Sequence, residues 1–219
     1  MKTIRYFPVF LDLRNRKVLL VGNGPETEKK LLQVLESGAR IYVVCPQPLP
    51  VIVDLAEQGK IAFRQGEFKK ADLNGVWLVI GTSQDQELNE RIAEAAKKRR
   101  IFHNIVDVTH LCDFIVPAIV SRGDIKIAIS TSGKSPALAQ RLKSEIAALV
   151  GPEYGELANL LGESRRKILQ AIPSFNERKK LFHQLVESDL LELFQRGEIS
   201  KAKRLADEMI DEVMNNSIG

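Results

Sequence analysis

Cysteine is scarce: Cys45 and Cys112 are the only two in 219 residues. So few, set so far apart, exclude a disulfide framework and a Cys-rich zinc site, and both read as small buried hydrophobes. Aromatic residues amount to 6%, which argues against a base-stacking platform for nucleic acid. The net charge of +4 is likewise too mild for a nucleic-acid binder, although it would help hold a small anionic ligand. No apolar run approaches the ~20 residues needed to span a membrane. The opening "MKTIRYFPVFLDLRNRK" has no long apolar region closed by a small-residue cleavage site, so a cytoplasmic location is expected. There is no internal repeat and no low-complexity tract.

What is present is an alternation. Strand-like apolar runs fall at 17–21, 40–45, 60–64, 76–80 and 101–106, with helical periodicity near 26–37, 50–58 and 86–99. Strand and helix in alternation predict a parallel sheet covered on both faces. After Asp107 the pattern changes. Two short β runs, 114–120 and 125–130, flank the turn Ser121-Arg122-Gly123-Asp124 and predict a hairpin. Ser135 and Pro136 start a helix running to about Val150, and Gly151-Pro152 ends it. From 153 onward the periodicity is helical, with breaks expected at Gly162, Ile172-Pro173 and Arg196-Gly197 and basic faces at Arg165-Arg166-Lys167 and Arg178-Lys179-Lys180. The expected class is α/β: a Rossmann-like parallel-sheet domain over 1–113, a small β-hairpin/helix segment over 114–150 and a small all-helical domain over 151–219.

Gly22-Asn23-Gly24 follows the first strand and opens a helix, the setting in which glycines let a backbone approach a dinucleotide pyrophosphate. Gly24 as N-cap and Pro25 at the first helical position suit the helix start. Against this, Thr27 stands at the third glycine position, Pro25 offers no N–H, and Glu26 and Glu28 set negative charge beside any phosphate. A cofactor cradle and a plain βα corner both remain open. The second strand ends Val44-Cys45-Pro46-Gln47, with no acid for the ribose and no cation for a 2′-phosphate. Gln47 would bond a hydroxyl instead, which favours NAD over NADP.

Three further stretches carry polar chemistry. Gly81, Thr82 and Ser83 sit at the predicted carboxyl edge of the sheet, where open α/β sheets bind ligands, or merely precede a helix capped by Asp85. "HNIVDVTHLCD" holds His103, Asp107, His110, Cys112 and Asp113, and Asp107 at a strand end suits a general base, a metal ligand or a helix N-cap. Neither HxxxH nor CxxC spacing occurs, so a preformed zinc cage is excluded. His183, on a helix face, reads as structural. "STSGKSP" mimics the tail of a Walker A loop but has Ala128 where that loop needs glycine. Its N–H groups, Lys134 and Ser135 would hold a carboxylate or phosphate, or simply cap the next helix.

Taken in order, "FPVFLDLRNRKVLLVGNGPETEKKLLQVLESGA", "GTSQDQELN", "FHNIVDV" and "FIVPAIVSRGDIKIAISTSGKSPALAQRLK" closely resemble the siroheme synthase dehydrogenase family: precorrin-2 dehydrogenases, some of which are also sirohydrochlorin ferrochelatases. The resemblance spans essentially the whole chain and implies a stand-alone form without the methyltransferase half fused on in some members. It implies NAD as cofactor, a homodimer built through the middle segment, and a tetrapyrrole cleft between the sheet and helical domains. The implied reaction is hydride removal from precorrin-2 to NAD, giving sirohydrochlorin; in bifunctional members Fe²⁺ insertion follows.

By motif position Asp107 matches the family's key acid, implicated in dehydrogenation and chelation, with His103 as a candidate helper toward the metal. Gly22, Gly24, Pro25 and Glu26 match the cofactor turn, Pro46 and Gln47 the adenosine side, and Thr82 joins them as a cofactor-binding candidate. Thr131 matches a cleft position that is serine in some bifunctional members, and Lys134 and Ser135 complete the substrate-binding set. The usual "GGG-x-VA" turn is here Gly22 to Thr27, a departure that bears on affinity more than on cofactor identity. Two other readings stay open: an NAD-independent tetrapyrrole chelatase or carrier, and an NAD-responsive binding module whose helical tail contacts a partner.

Overall fold

A computed structural model describes residues 6–216. The chain divides between Val116 and Pro117 into two compact units. In the first, β1 (Lys17–Val21), β2 (Arg40–Cys45), β3 (Ala62–Gln65), β4 (Leu78–Gly81) and β5 (Phe102–Ile105) form one sheet in the order β3-β2-β1-β4-β5. Every neighbouring pair is parallel. The helices α1 (Pro25–Leu35), α2 (Pro50–Glu57) and α3 (Gln86–Lys98) follow β1, β2 and β4.

The run of apolar residues in β1 has a direct cause. Leu19 and Val21 join one buried cluster with Ile92 and Ala96 of α3, whereas Val18 and Leu20 join another with Leu31 of α1 and Ile52 of α2. Side chains alternate across a strand, so a strand covered on both faces must be apolar at successive positions. The chain runs outward from β1 through β2 to β3, then returns to β4 beside β1. This reversal puts a topological switch point at the carboxyl ends of β1 and β4, the crevice in which open α/β sheets take ligands.

In the second unit, β6 (Ala118–Arg122) and β7 (Ile125–Ile129) form an antiparallel hairpin. The first strand begins later than the expected run 114–120 and extends two residues beyond it, while the second begins at Ile125 as expected, so Arg122 pairs with Ile125 and only Gly123-Asp124 remain in the loop. Gly123, at φ +57, supplies the left-handed first position that a two-residue hairpin loop favours. Five helices follow: α4 (Pro136–Leu149), α5 (Glu153–Ala171), α6 (Phe175–Glu187), α7 (Leu190–Gln195) and α8 (Ile199–Asn216). Their core includes Leu160, Ile168, Leu181, Leu185, Leu190 and Ala206.

The expected break at Gly162 does not occur, because α5 runs straight through it. A mid-helix glycine costs about 1 kcal/mol against alanine, and burial of Leu157, Leu160 and Ile168 on one face of α5 outweighs that.

The hairpin is tied to these helices at its tip. The Arg122 guanidinium donates to the Val150 carbonyl (2.8 Å) and the Ala147 carbonyl (2.9 Å) at the end of α4. At the start of α5, a Cβ on Gly155 would stand 2.9 Å from the Arg122 carbonyl oxygen. Gly155→Val is therefore expected to destabilise the protein by about 1–3 kcal/mol, the usual penalty of overpacking. Urea unfolding would register this as a lower midpoint, and an unchanged midpoint would show that the backbone contact yields freely.

Candidate active site at the carboxyl edge of the sheet

The turn after β1 is shaped by contact rather than by flexibility alone. Gly22 is buried at φ +143, and a Cβ there would lie 2.2 Å from Thr82 Oγ1 and 3.1 Å from Thr27 Oγ1. Thr27 is fully buried at the position the glycine fingerprint reserves for a third glycine. Its hydroxyl accepts the Gly24 N–H (3.1 Å) and lies 2.6 Å from Thr82 Oγ1. Because the Thr82 hydroxyl donates to the Val21 carbonyl (3.2 Å), Thr27 must donate to Thr82. A hydrogen-bond chain thus runs from Gly24 through Thr27 and Thr82 to Val21, joining the ends of β1 and β4.

A dinucleotide pyrophosphate needs open space and free donors at such a turn. Nothing lies within 4 Å of a Cβ built on Gly24, so that side of the turn is open. The Gly24 N–H is taken by Thr27 and Pro25 has none, which leaves the N–H groups of Asn23 and Glu26 without an acceptor among the described residues. Two free donors at the positive end of α1, beside an open glycine, fit a pyrophosphate.

The second strand delivers Pro46 and Gln47, both exposed, just past its carboxyl end. The Pro46 carbonyl accepts from the Gln65 amide (3.0 Å), so Gln47 supplies the free side chain there. At the end of β3, Arg64 is committed to Asp72 through Nη2 (2.6 Å) and Nε (3.1 Å) and to the Glu67 carbonyl (2.9 Å). Arg64, the cation at the end of β3, is thus already engaged rather than free for a 2′-phosphate. NAD is accordingly expected to bind at least about tenfold more tightly than NADP, and titration of both by calorimetry checks it; equal affinities would contradict it.

Asp107 lies two residues beyond β5, exposed and at φ +63. The helix-cap alternative does not hold: the short 3₁₀ turn Thr109–Leu111 has Val108 at its N-cap and no side-chain cap bond. Asp107 therefore keeps an exposed carboxylate on a left-handed backbone, a conformation seen in a few per cent of non-glycine residues. Its charge reaches Lys30 on α1, whose pKa is pushed down by burial and by Lys29 and held up by Glu26 and, least of all, by Asp107.

The turn carrying Asp107 is held by a thiol. Cys112 Sγ lies 3.2 Å from the Ile105 N–H, 3.2 Å from the Ile105 carbonyl and 3.3 Å from the Val108 carbonyl, bracketing Asp107 on both sides. Burial pushes the Cys112 thiol pKa up, which keeps it a neutral donor. Cys112→Ser should preserve this clamp through its hydroxyl, whereas Cys112→Ala should lower turnover by about tenfold by loosening the turn, with little effect on NAD affinity. Equal rates in the two variants would show that the thiol does not hold the turn.

His103 is committed elsewhere. Its side chain is buried, with Nδ1 2.7 Å from Asp113 Oδ2 and 3.2 Å from the Ile101 carbonyl. Two acceptors at one nitrogen fix the proton on Nδ1 and tie the ring to Asp113 rather than to Asp107. No group of three His, Cys, Asp or Glu side chains among the described residues could hold a metal ion.

Thr131, Lys134 and Ser135 belong to the second unit, where they form the turn before α4. Ser135 accepts the Leu138 N–H (3.2 Å) as N-cap, and Thr131 Oγ1 accepts the Ser135 N–H (3.1 Å) while donating to its carbonyl (3.1 Å). Capping thus occupies both hydroxyls, with Ser132 and Gly133 left-handed at φ +52 and +79. Lys134 is exposed.

Sequence reasoning places Lys30, with Lys29, against the charge of Glu26 and Glu28 but does not connect it with Asp107, and it does not single out Asn89 or the clamp role of Cys112. Asn89 is buried and donates to the Ser83 carbonyl (2.9 Å), bracing the loop after β4. Its only signal was an amide four residues after the N-cap Asp85, itself confirmed by the Leu88 N–H it accepts (3.2 Å).

Comparison with known proteins agrees with this geometry. Residues 9–118 match the family model described as "Putative NAD(P)-binding", 122–149 the sirohaem biosynthesis protein central region, and 153–210 the sirohaem synthase dimerisation region. Siroheme synthase 3 of Aeromonas hydrophila is 36% identical over 93% of this chain and 44% of its own length. Siroheme synthase of Methylococcus capsulatus is also 36% identical, over 94% of this chain and 44% of its own. The chain thus spans less than half the length of these curated relatives. Among solved structures, SirC, precorrin-2 dehydrogenase, superposes with a TM-score of 0.77 at 25% identity, covering 91% of this chain and 100% of that one.

Proposed function

Because the chain belongs to the siroheme synthase dehydrogenase family, we propose that it oxidises precorrin-2 to sirohydrochlorin with NAD. The observation that carries this reading is the carboxyl edge of the sheet: an open glycine turn at the switch point and, two strands over, an exposed left-handed Asp107 that caps no helix.

When bound, NAD supplies the hydride acceptor. Gly22 and Gly24 shape the turn, the N–H groups of Asn23 and Glu26 hold the pyrophosphate, and Thr82 and Thr27 keep the turn rigid. Pro46 and Gln47 line the adenosine side. Loss of a hydride from precorrin-2 must be matched by loss of a proton, and the Asp107 carboxylate accepts it. Lys30, on which the Asp107 charge acts, adds a positive charge that favours the carboxylates of the substrate. In the second unit Lys134 offers an ammonium to the same class of anion, with Thr131 and Ser135 ordering its turn. The matched regions 9–118, 122–149 and 153–210 support a division into a sheet domain near 1–113, a middle segment near 114–150 and a helical domain near 151–219, with the dimerisation description falling on the helical region rather than on the middle segment.

A homodimer is the proposed assembly, supported by the match to a dimerisation region. A cytoplasmic location is proposed as well; no helix among the described residues is long and apolar enough to cross a membrane. Insertion of Fe²⁺ into sirohydrochlorin is a second reading for the same carboxylate, favoured by its exposure and by its capping no helix among the described residues. Anaerobic incubation with precorrin-2 and NAD, following NADH absorbance before and after Fe²⁺ is added, tests both. NADH formation is the expected result, and metal insertion without any need for NAD would overturn the dehydrogenase reading in favour of a chelatase.

A further inference from the structure

Strand β5 buries two adjacent polar residues, His103 and Asn104, at 5% and 6% exposure, where the neighbouring β4 buries only Leu78 to Gly81. Buried polar groups need partners, and these two find theirs in one segment. The chain leaves β5, turns through Asp107 and comes back along the outer edge of the strand as Cys112-Asp113-Phe114. Because β5 is the last strand of the sheet, its outward N–H and C=O groups have no strand to pair with. The returning segment pairs them instead. The Asp113 N–H donates to the His103 carbonyl (2.9 Å), and the His103 N–H donates to Asp113 Oδ2 (3.3 Å).

Successive side chains of a strand point to opposite faces, so His103 and Asn104 reach this segment from opposite sides. His103 shares the α3 face with Ile101 and Ile105, and its Nδ1 donates to Asp113 Oδ2 (2.7 Å). Asn104 belongs to the other face, where Val106 and Phe114 pack in one cluster with Leu31 of α1 and Ile52 of α2, and its Nδ2 donates to the Phe114 carbonyl (2.9 Å). Two side chains, one on each face of the sheet, clasp the returning segment. That segment in turn seats Cys112, whose thiol ties Ile105 to Val108 around Asp107. Asp107 needs such support, since a left-handed aspartate at φ +63 is held by its surroundings rather than by local preference. We propose that His103 and Asn104 are positioning residues for the Asp107 carboxylate, acting through Asp113 and Phe114. The proposal rests on the reading of Asp107 as the base that accepts the substrate proton.

The test uses the full chain and steady-state NADH formation from precorrin-2. Asp113→Ala removes the group that His103 grips at a side chain 45% exposed, and the ring keeps the Ile101 carbonyl as a partner (3.2 Å), so the fold should survive. Its kcat should fall about tenfold while KM for precorrin-2 and NAD stays within about twofold, because a misplaced base slows chemistry without weakening binding. Asp113→Asn, whose Oδ1 still accepts the ring N–H, should restore most of the rate. Asn104→Leu keeps the volume but loses the donor, and should also slow kcat about tenfold. In an Asp107→Asn background neither Asp113→Ala nor Asn104→Leu should lower the residual rate by more than about twofold, since no carboxylate is left to misplace. Hydrogen exchange gives a readout without turnover: Asp113→Ala should speed exchange across residues 103–113 while β1 and β2 keep their protection. An unchanged kcat in both Asp113→Ala and Asn104→Leu, losses that add in full to that of Asp107→Asn, an Asp113→Asn rate as low as that of Asp113→Ala, or unchanged exchange overturns the clasp and leaves Asp107 as the base. A full rate in Asp107→Asn alone overturns the base, and the clasp with it.

Discussion

Asp107→Asn is expected to slow precorrin-2 oxidation by about 10²–10⁴-fold, the contribution typical of a positioned acid–base group. The choice of asparagine matters. Asp107 sits at φ +63, a conformation that asparagine adopts readily but alanine adopts only at a cost of about 1–2 kcal/mol. Asparagine therefore removes charge and basicity while keeping the turn, which Cys112 holds from Ile105 to Val108. NAD affinity and the thermal midpoint should stay near those of the parent, because the carboxylate caps no helix and follows β5 rather than belonging to the glycine turn after β1. Steady-state NADH formation, NAD titration and a melting curve on the same preparation separate the possibilities. A full rate would exclude Asp107 from the chemistry; a lost rate with a lowered midpoint would indicate a structural role instead.

Gly22→Ala and Gly24→Ala are expected to fail differently, and the contrast decides whether the turn is a cradle or a corner. At Gly22 the new methyl would meet Thr82 Oγ1 at 2.2 Å and the Thr82 carbonyl carbon at 3.1 Å, at φ +143. Backbone strain and overpacking together should cost about 2–4 kcal/mol of stability and abolish NAD binding through distortion. At Gly24, φ is −100 and a methyl meets nothing within 4 Å, so the fold should tolerate it. The methyl would instead occupy the space a pyrophosphate needs, lowering NAD affinity at least about tenfold with an unchanged melting midpoint. Undiminished NAD affinity in Gly24→Ala would show that the cofactor does not approach the backbone there.

The parallel sheet was legible because its cause is local. A strand buried on both faces leaves a run of apolar residues, as in Leu19 to Val21, and glycine with proline punctuates the following helix. The α4 start was equally plain, since Ser135 and Pro136 carry the capping chemistry in adjacent residues. Gly162 misled for the opposite reason: a glycine's weak local cost was overruled by burial of α5 against helices distant in sequence. The site was partly legible. Gly22 and Asp107 stand at strand ends that periodicity locates, but the charge of Asp107 acts on Lys30 from 77 positions farther along the sequence, and no spacing rule joins them. Thr27 looked like a flaw in a glycine motif because its partner, Thr82, follows a strand that is adjacent only after the sheet forms.

That pair of hydroxyls has a thermodynamic consequence. A mobile glycine loop must surrender conformational entropy when it closes on its ligand, and the loss subtracts from affinity. Here the chain from Gly24 to Val21 orders the turn during folding, before any ligand arrives. The threonine thus withdraws one phosphate donor and returns a preorganised one-turn mould, so cofactor binding should proceed with little rearrangement of the first unit. Thr27→Gly would restore the third glycine of the general dinucleotide fingerprint and yet bind more weakly, its deficit lying in entropy rather than in contacts.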